Sequence, residues 1–191
     1  MPKVRYTMVT QETITYFDSP GPENTPRVFA LVDAALDQYG LDTVVVASTC
    51  GDTARYALDH YQDRSVHLVL VPHQYGFGST GEQRFPQSLI ERAIHDGHQV
   101  CFGTMLFHQD KLWGRGTPQV VADFLRFFGQ GVKVCIEILL MAANAGCVRA
   151  GQEVVVMAGT GRGADTALIM TTGTSMAPKD LHISRILCKP L

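Results

Sequence analysis

The sequence predicts an α/β protein with a largely parallel sheet. Short apolar segments and amphipathic segments alternate through most of the 191 residues, as they do in chains that form strands and helices in turn. Several of the short segments, such as 43–48 and 153–158, are continuously apolar. Such runs are typical of strands that helices cover on both faces.

The strands follow from these apolar, β-prone runs. They are predicted at 13–17, 43–48, 66–71, 100–104, 153–158, 164–170 and 183–188. Neither a sequence repeat nor a low-complexity linker interrupts them, so we expect one domain. In an open α/β sheet ligands bind beyond the carboxyl ends of the strands. We therefore expect the loops at 48–53, 72–81, 104–116 and 159–163 to converge on one edge of the sheet.

The helices are recognised by their start and stop residues. Thr25-Pro26 and Thr117-Pro118 each combine a capping residue with a proline at the first helical position, and glycine ends several amphipathic segments. Helices are predicted from Thr25 to Gly40, after the turn at 48–53, from Phe85 to Gly97, from Thr117 to Phe128 and from Val132 to Ala145. The segment 105–116 is predicted to be a loop.

Composition narrows the class of protein. Apolar residues make up 46% of the chain, charged residues 18%, and the net charge is −2, as in ordinary globular proteins. No Lys/Arg cluster supports nucleic-acid or membrane-surface binding, and no apolar run has membrane-spanning length. The five cysteines are scattered without a CxxC pair, which predicts reduced thiols in the cytoplasm. The histidine spacing does not predict a metal site.

The turn between the strand 43–48 and the next helix is a candidate phosphate site. Ser48, Thr49 and Thr53 supply hydroxyls, Gly51 permits close backbone approach, and a helix N-terminus attracts anions. The alternative is a plain capped helix, and the carboxylate of Asp52 counts against an anion. Cys50, at the same helix start, is either a candidate nucleophile or a small residue tolerated in a turn.

A second candidate anion site is the glycine-rich loop Gly159-Thr160-Gly161-Arg162-Gly163. Its backbone N–H groups and the guanidinium of Arg162 suit a phosphate. The GxGxxG spacing of a dinucleotide site is absent, and a strand rather than a helix is predicted to follow. The alternative is a glycine-rich hairpin between two strands.

A third loop, 72–81, carries aromatic residues at a strand end. Tyr75 and Phe77, with Gly76 between them, can stack on a planar ring, and His73 can bind that ring or act as an acid–base group. The alternative is that these aromatic side chains pack the loop onto the protein. Glu137, within an apolar helix, is interpreted as a buried, paired carboxylate with a structural role.

Several strings together resemble a known family. They are 21–25, 45–54, the pattern His73-x-x-Gly76-Phe77, 130–134 with Glu137 and 141–143, and 159–167. They resemble a family of stand-alone archaeal and bacterial proteins similar to the C-terminal domain of pyruvate kinase. The resemblance covers residues 13–191, which we take as one domain, and leaves residues 1–12 as an N-terminal extension.

The resemblance implies a three-layer α/β/α sandwich with a mixed, mostly parallel five-stranded sheet whose last strand is antiparallel. In pyruvate kinase this domain is not catalytic and binds a sugar-phosphate effector. Stand-alone members are associated with flavin mononucleotide (FMN). The expected ligand-binding residues are Ser48, Thr49, Cys50, Gly51, Thr53, His73, Tyr75, Gly76, Phe77, Gly159, Thr160, Gly161, Arg162, Gly163 and Asp165, with Glu23, Asn24 and Thr25 as further candidates.

Two functions follow as hypotheses. The first is a cytoplasmic binding domain for FMN or another phosphorylated small molecule, without assigned catalysis and with self-association left open. The second is an enzyme, either a flavin-dependent oxidoreductase or one acting on a phosphorylated metabolite, with His73 or Cys50 as a reactive group. The first is favoured because the sequence contains no recognisable nucleophile–base pair.

Overall fold

The strands were located in a computed structural model that describes residues 9–78, 81–114 and 116–191. They are β1 (Thr15–Phe17), β2 (Thr43–Ala47), β3 (His67–Val71), β4 (Gln99–Val100), β5 (Glu153–Ala158), β6 (Thr166–Thr171) and β7 (His182–Pro190). Their order across the sheet is β1-β7-β6-β5-β2-β3-β4.

The helices alternate with the strands in the first two thirds of the chain. They are α1 (Thr25–Tyr39), α2 (Asp52–His60), α3 (Gln87–His95), α4 (Asp110–Trp113), α5 (Thr117–Leu125) and α6 (Gln130–Asn144). The segment predicted as a loop at 105–116 thus contains the short helix α4. None of the helices in the described ranges is both long and apolar enough to cross a bilayer.

The sheet is mixed and mostly parallel. Strands β2, β3, β4 and β5 are parallel, whereas β6 is antiparallel to both β5 and β7. The last strand, β7, therefore pairs antiparallel with its neighbour, as expected. The expected count of five strands is wrong, because β7 covers the edge of β6 and β1 then pairs parallel with β7.

Alternating side chains of the central strands divide the interior into two cores. Val44 and Val46 face the core that contains α1, α2 and α3. Val45, between them in sequence, faces the core formed with α6. This alternation is what a strand buried on both faces produces. The architecture is therefore the predicted α/β/α sandwich.

The strand predicted at 100–104 is reduced to the two residues of β4. Cys101 still donates a backbone hydrogen bond of 2.8 Å to Leu70, but the chain then leaves the sheet. At Gly103 the backbone packs so closely against α6 that an added Cβ would lie 3.0 Å from Cβ of Met141. Packing on the helix thus ends the strand early and brings residues 105–108 towards the carboxyl ends of β2 and β3.

Candidate functional site

A cleft of about 520 Å³ lies beyond the carboxyl ends of β2, β3 and β5, with α6 along one side. This is the edge at which open α/β sheets bind ligands, and the volume is within the range of small-molecule sites. The structure brings residues of all four predicted loops to this cleft, since Met105 and His108 of the segment 104–116 line it together with the three candidate ligand loops. The predicted site residues that line it are Ser48, Thr49, Cys50, Thr53, His73, Phe77, Gly159, Gly161, Arg162 and Gly163.

The turn before α2 presents both a cap and free donors. The buried Ser48 hydroxyl accepts a hydrogen bond of 3.1 Å from the backbone N–H of Ala54, so Ser48 caps the helix. The N–H groups of Asp52 and Thr53, in the first turn of α2, have no carbonyl partner within the helix. The positive end of the helix dipole and these two donors therefore remain available at the cleft.

Gly51, predicted to approach the ligand, does not line the cleft. Its φ is +92°, and an added Cβ would lie 2.5 Å from Cδ1 of Leu89 and 2.8 Å from Cδ of Pro86. Glycine is needed here because α2 begins in close contact with the start of α3. Its neighbour Cys50 is exposed at the cleft.

His73 is the central residue of the second loop. Its Nε2 is 3.2 Å from Oγ1 of Thr49, and its ring centroid is 4.3 Å from that of Phe77. Its Nδ1 is buried and has no hydrogen-bond partner among the described residues. Burial, aided by the positive charge of Arg84, lowers the pKa of His73, which favours a neutral ring in the cleft.

Other residues of this loop do not line the cleft. Tyr75 is 63% exposed and packs on Phe102, with a centroid distance of 4.9 Å. Gly76 forms the turn at φ +77°. Residues 79–80, at the end of the predicted loop, lie outside the described residues.

The third loop is a hairpin that connects β5 to β6, as the alternative interpretation of the glycine-rich segment predicted. Asp165 is fully buried and accepts hydrogen bonds from the N–H of Thr160 at 2.9 Å and from Oγ1 of Thr166 at 2.8 Å. Thr160 and Asp165 thus shape the hairpin rather than line the cleft. Arg162 does line it, and its guanidinium contacts Asp52 at 3.1 Å.

The segment 21–25 supports this hairpin from behind and does not line the cleft. Oγ1 of Thr25 accepts a hydrogen bond of 2.9 Å from the N–H of Ala164. Asn24 bonds the carbonyl of Ser19 instead of a loop residue, and Glu23 lies in the 3₁₀ turn that precedes α1. The segment 21–25 and the glycine-rich loop, which both belong to the family resemblance, therefore pack against each other.

The side of the cleft formed by α6 contains residues that the motifs did not assign to the site. Lys133 and Glu137, one helical turn apart, are 1% and 2% exposed, and Lys133 Nζ lies 2.5 Å from Oε2 of Glu137. The interpretation of Glu137 as a buried, paired carboxylate is confirmed. The i, i+4 spacing of a cation and a carboxylate in an apolar helix was the sequence pattern that could have identified the pair.

His108 and Arg84 are two further lining residues that sequence reasoning missed. His108 Nδ1 lies 3.1 Å from Oε1 of Glu137. Arg84 is exposed and makes no ion pair with any residue of the described ranges. Neither residue belongs to a sequence pattern that distinguishes it from other loop residues.

The cationic side chains around the cleft differ in whether they form an ion pair. Lys133 is paired with Glu137, and Arg162 with Asp52, whereas Arg84 keeps its charge available. Within the described ranges, no three His, Cys, Asp or Glu side chains lie together in a way that could hold a metal ion. The cleft therefore offers helix N–H donors from the turn before α2, two arginines, and a Lys–Glu–His cluster on and beside α6.

The chain was also compared with models of known protein families, and none matches it. The resemblance to the pyruvate kinase C-terminal domain thus rests on the motifs quoted above, chiefly 159–167 and 21–25. The cleft geometry is independent of that resemblance.

Proposed function

We propose that the cleft binds a phosphorylated small molecule, with FMN as the first ligand to test. The observation that carries the proposal is the meeting of the Ser48–Thr53 turn and the Gly159–Gly163 hairpin at one cleft. Each was a candidate phosphate site on its own sequence. Together with Arg84 and Arg162 they surround a volume with backbone donors and positive charge.

The residues present also fit a flat ring system. Phe77 and His73 form an aromatic pair in the cleft, with His73 next to Thr49, and the apolar side chains of Ile138 and Met141 line the cleft near α6. Small-molecule sites commonly combine such apolar surfaces with a few polar groups. In FMN the phosphate would be held by the α2 N-terminus and Arg162, and the ring by Phe77 and His73. The family resemblance supports the same ligand.

The test is the direct titration of the purified protein with FMN, followed by flavin fluorescence and thermal unfolding. Riboflavin, which lacks the phosphate, is the matched control ligand. We expect FMN to raise the unfolding temperature and riboflavin to do so much less. If FMN and riboflavin raise the unfolding temperature equally, the phosphate group does not contribute to binding, and that part of the proposal is wrong. If FMN and inorganic phosphate both leave the unfolding temperature unchanged, the proposed function is wrong.

A second candidate function is an enzyme, either a flavin-dependent oxidoreductase or one acting on another phosphorylated metabolite. It is favoured by the position of two histidines, His73 and His108, in the same cleft. Anaerobic addition of NADH or NADPH to the FMN-loaded protein distinguishes a flavin-dependent oxidoreductase from a protein that only binds FMN. Bleaching of the flavin absorbance at a saturable rate would indicate an oxidoreductase, and an unchanged spectrum would favour the binding function.

We also propose a cytoplasmic location and self-association. All five cysteines are free, and burial raises the pKa of Cys101 and Cys188 to about 12, which suits inert thiols in a reducing compartment.

Self-association is supported by an aromatic cluster on α5 and the turn after it, where Phe124, Phe127 and Phe128 are 58%, 82% and 51% exposed. Light scattering of the wild type and of Phe127→Ser tests it: a lower mass for the variant is expected.

A further inference from the structure

Glu137 organises a cluster of donors at the α6 side of the cleft. Its carboxylate accepts hydrogen bonds from Lys133 Nζ at 2.5 Å, from the N–H of Phe107 at 2.9 Å and from His108 Nδ1 at 3.1 Å. Burial opposes ionisation, but the hydrogen bond from His108 and the charge of Lys133 hold the pKa of Glu137 below its ordinary value. Glu137 is therefore a fixed anion between two groups that line the cleft.

The carboxylate determines how His108 presents its ring. An ionised carboxylate only accepts hydrogen bonds, so Nδ1 must carry the proton of a neutral imidazole. The opposite nitrogen, Nε2, is then an unprotonated acceptor, and it has no hydrogen-bond partner within the described part of the chain. Phe77 packs edge-on to the ring, with a centroid distance of 5.4 Å. A carboxylate that orients a histidine in this way is the arrangement of a general base.

Lys133 supplies a positive charge beside this base. Its ammonium group has three N–H donors, and Glu137 is its one hydrogen-bond partner in the described ranges. The Phe107 ring, 5.3 Å from Nζ, covers the same group. Lys133 is 1% exposed and belongs to the wall of the cleft. An oxygen atom of a molecule that packs against this wall can accept a hydrogen bond from the donors that Glu137 does not use.

No hydroxyl or thiol group of the described residues is hydrogen-bonded to His108. Among the described residues, His108 therefore has no side-chain nucleophile to activate, which leaves its Nε2 for a bound molecule. The N–H donors at α2 and the β5–β6 hairpin line the same cleft. A molecule that reaches both sets of groups needs a phosphate for the first and a polar oxygen for the second.

We propose that this cleft catalyses proton transfer on a phosphorylated carbonyl compound, with His108 as the base and Lys133 as the donor to the carbonyl oxygen. The C–H bond next to the carbonyl breaks, and its proton moves to His108 Nε2. Its electron pair forms the C=C bond of an enolate, and the carbonyl π pair moves to the oxygen, which Lys133 stabilises. The proton then returns to carbon or to a neighbouring oxygen. The inference rests on the proposed phosphate binding.

Hydrogen exchange into dihydroxyacetone phosphate in D₂O tests the inference, with proton NMR reporting the loss of the C–H signals next to the carbonyl. We expect the wild type to catalyse exchange and His108→Gln to be slower by at least about 100-fold, the lower range for loss of a general base. Lys133→Arg keeps a cation opposite Glu137 but displaces the donors, and is expected to slow exchange as well. His95→Gln, on the exposed surface of α3, is the matched control and should exchange at the wild-type rate.

Binding of the same probe, measured by calorimetry, separates the two proposals. If dihydroxyacetone phosphate binds but the wild type catalyses no exchange, the inference is wrong and the proposed function survives. If neither dihydroxyacetone phosphate nor FMN binds, both fail. Exchange by folded His108→Gln at the wild-type rate also overturns the inference, and circular dichroism establishes that the variant is folded.

Discussion

Arg162 donates a hydrogen bond of 3.1 Å to the carboxylate of Asp52, and this pair joins the β5–β6 hairpin to the first turn of α2. Both side chains are well exposed, 77% for Arg162 and 64% for Asp52, so the pair contributes little to the free energy of unfolding. In the cleft, the Asp52 carboxylate partly neutralises the positive charge of Arg162. Under the proposed function, a ligand phosphate would compete with this carboxylate for the guanidinium.

The first prediction concerns this competition. Asp52→Asn should tighten binding of inorganic phosphate or FMN by about 1 kcal/mol, the interaction of two unit charges near 4 Å in water. Arg162→Ala should weaken it by about 1–3 kcal/mol. Calorimetric titration measures both, and Asp63→Asn, a loss of one carboxylate from the exposed chain after α2, is the control. Unchanged affinity in both cleft variants would exclude the pair from the ligand site.

The second prediction concerns the buried ion pair of α6. Lys133→Met should lower the free energy of unfolding by about 3–5 kcal/mol, because it leaves the Glu137 carboxylate buried without its cation. The double variant Lys133→Met/Glu137→Leu should recover much of that loss, because it removes both charges from the interior. Urea unfolding of both variants tests this. A double variant less stable than Lys133→Met alone would contradict it.

The third prediction compares two glycines of one hairpin. At Gly163, with φ +70°, an added Cβ would lie 2.4 Å from Cα of Pro22, whereas the same atom at Gly161, with φ +87°, meets open space. Gly161→Ala should cost about 1–2 kcal/mol through backbone strain alone. Gly163→Ala adds a clash of about 1–3 kcal/mol. Thermal unfolding distinguishes the two, and equal losses would show that the hairpin does not press on residue 22.

The fourth prediction is a fall in stability between pH 8 and pH 5. Burial lowers the pKa of His73 and of His98 below the usual 6.5, and His98 Nδ1 accepts a backbone hydrogen bond of 3.3 Å from Leu68. The unfolded chain therefore binds more protons than the folded chain as the pH falls through 6.5 towards the lowered pKa values. Stability must decrease over that window.

Urea unfolding at several pH values measures this slope. His98→Gln should flatten it, since glutamine does not titrate and its amide oxygen can still accept the Leu68 bond. His95→Gln, a surface change, is expected to keep the wild-type slope. A slope that is the same in all three proteins would assign the pH dependence to other groups.

The sequence predicted the elements whose local pattern decides their structure. The continuous apolar runs of β2, β3 and β5 identify buried strands, and parallel pairing then places their loops on one edge. A strand was predicted at 100–104, but its early end could not be predicted, because the chain leaves the sheet where Gly103 packs against Met141, a contact between residues far apart in sequence. The strand propensity of the local sequence contains no information about such a contact.

The same distinction applies to the cleft. The hydroxyl, glycine and arginine residues of two loops could be selected from the sequence as candidate ligand residues, because phosphates are bound by such groups near a helix start. Gly51 was expected to approach a ligand, and the structure gives a different reason for glycine at this position, its close contact with Leu89 on a neighbouring helix. His108 was missed because its partner, Glu137, is 29 residues away, and only the packing of the 105–108 segment on α6 brings them together.

The antiparallel strand β6 affects how this cleft can change. A loop between a parallel strand and a helix leads into a packed helix, so a change near its end can move the first turn of that helix. The segment 159–165 instead joins two strands that already pair with each other along Glu153–Ala158 and Thr166–Thr171. Residues can therefore be inserted or deleted near its tip, where Gly161 faces open space, without repacking either helical layer. This border of the cleft can thus vary in length while the rest of the architecture stays constant.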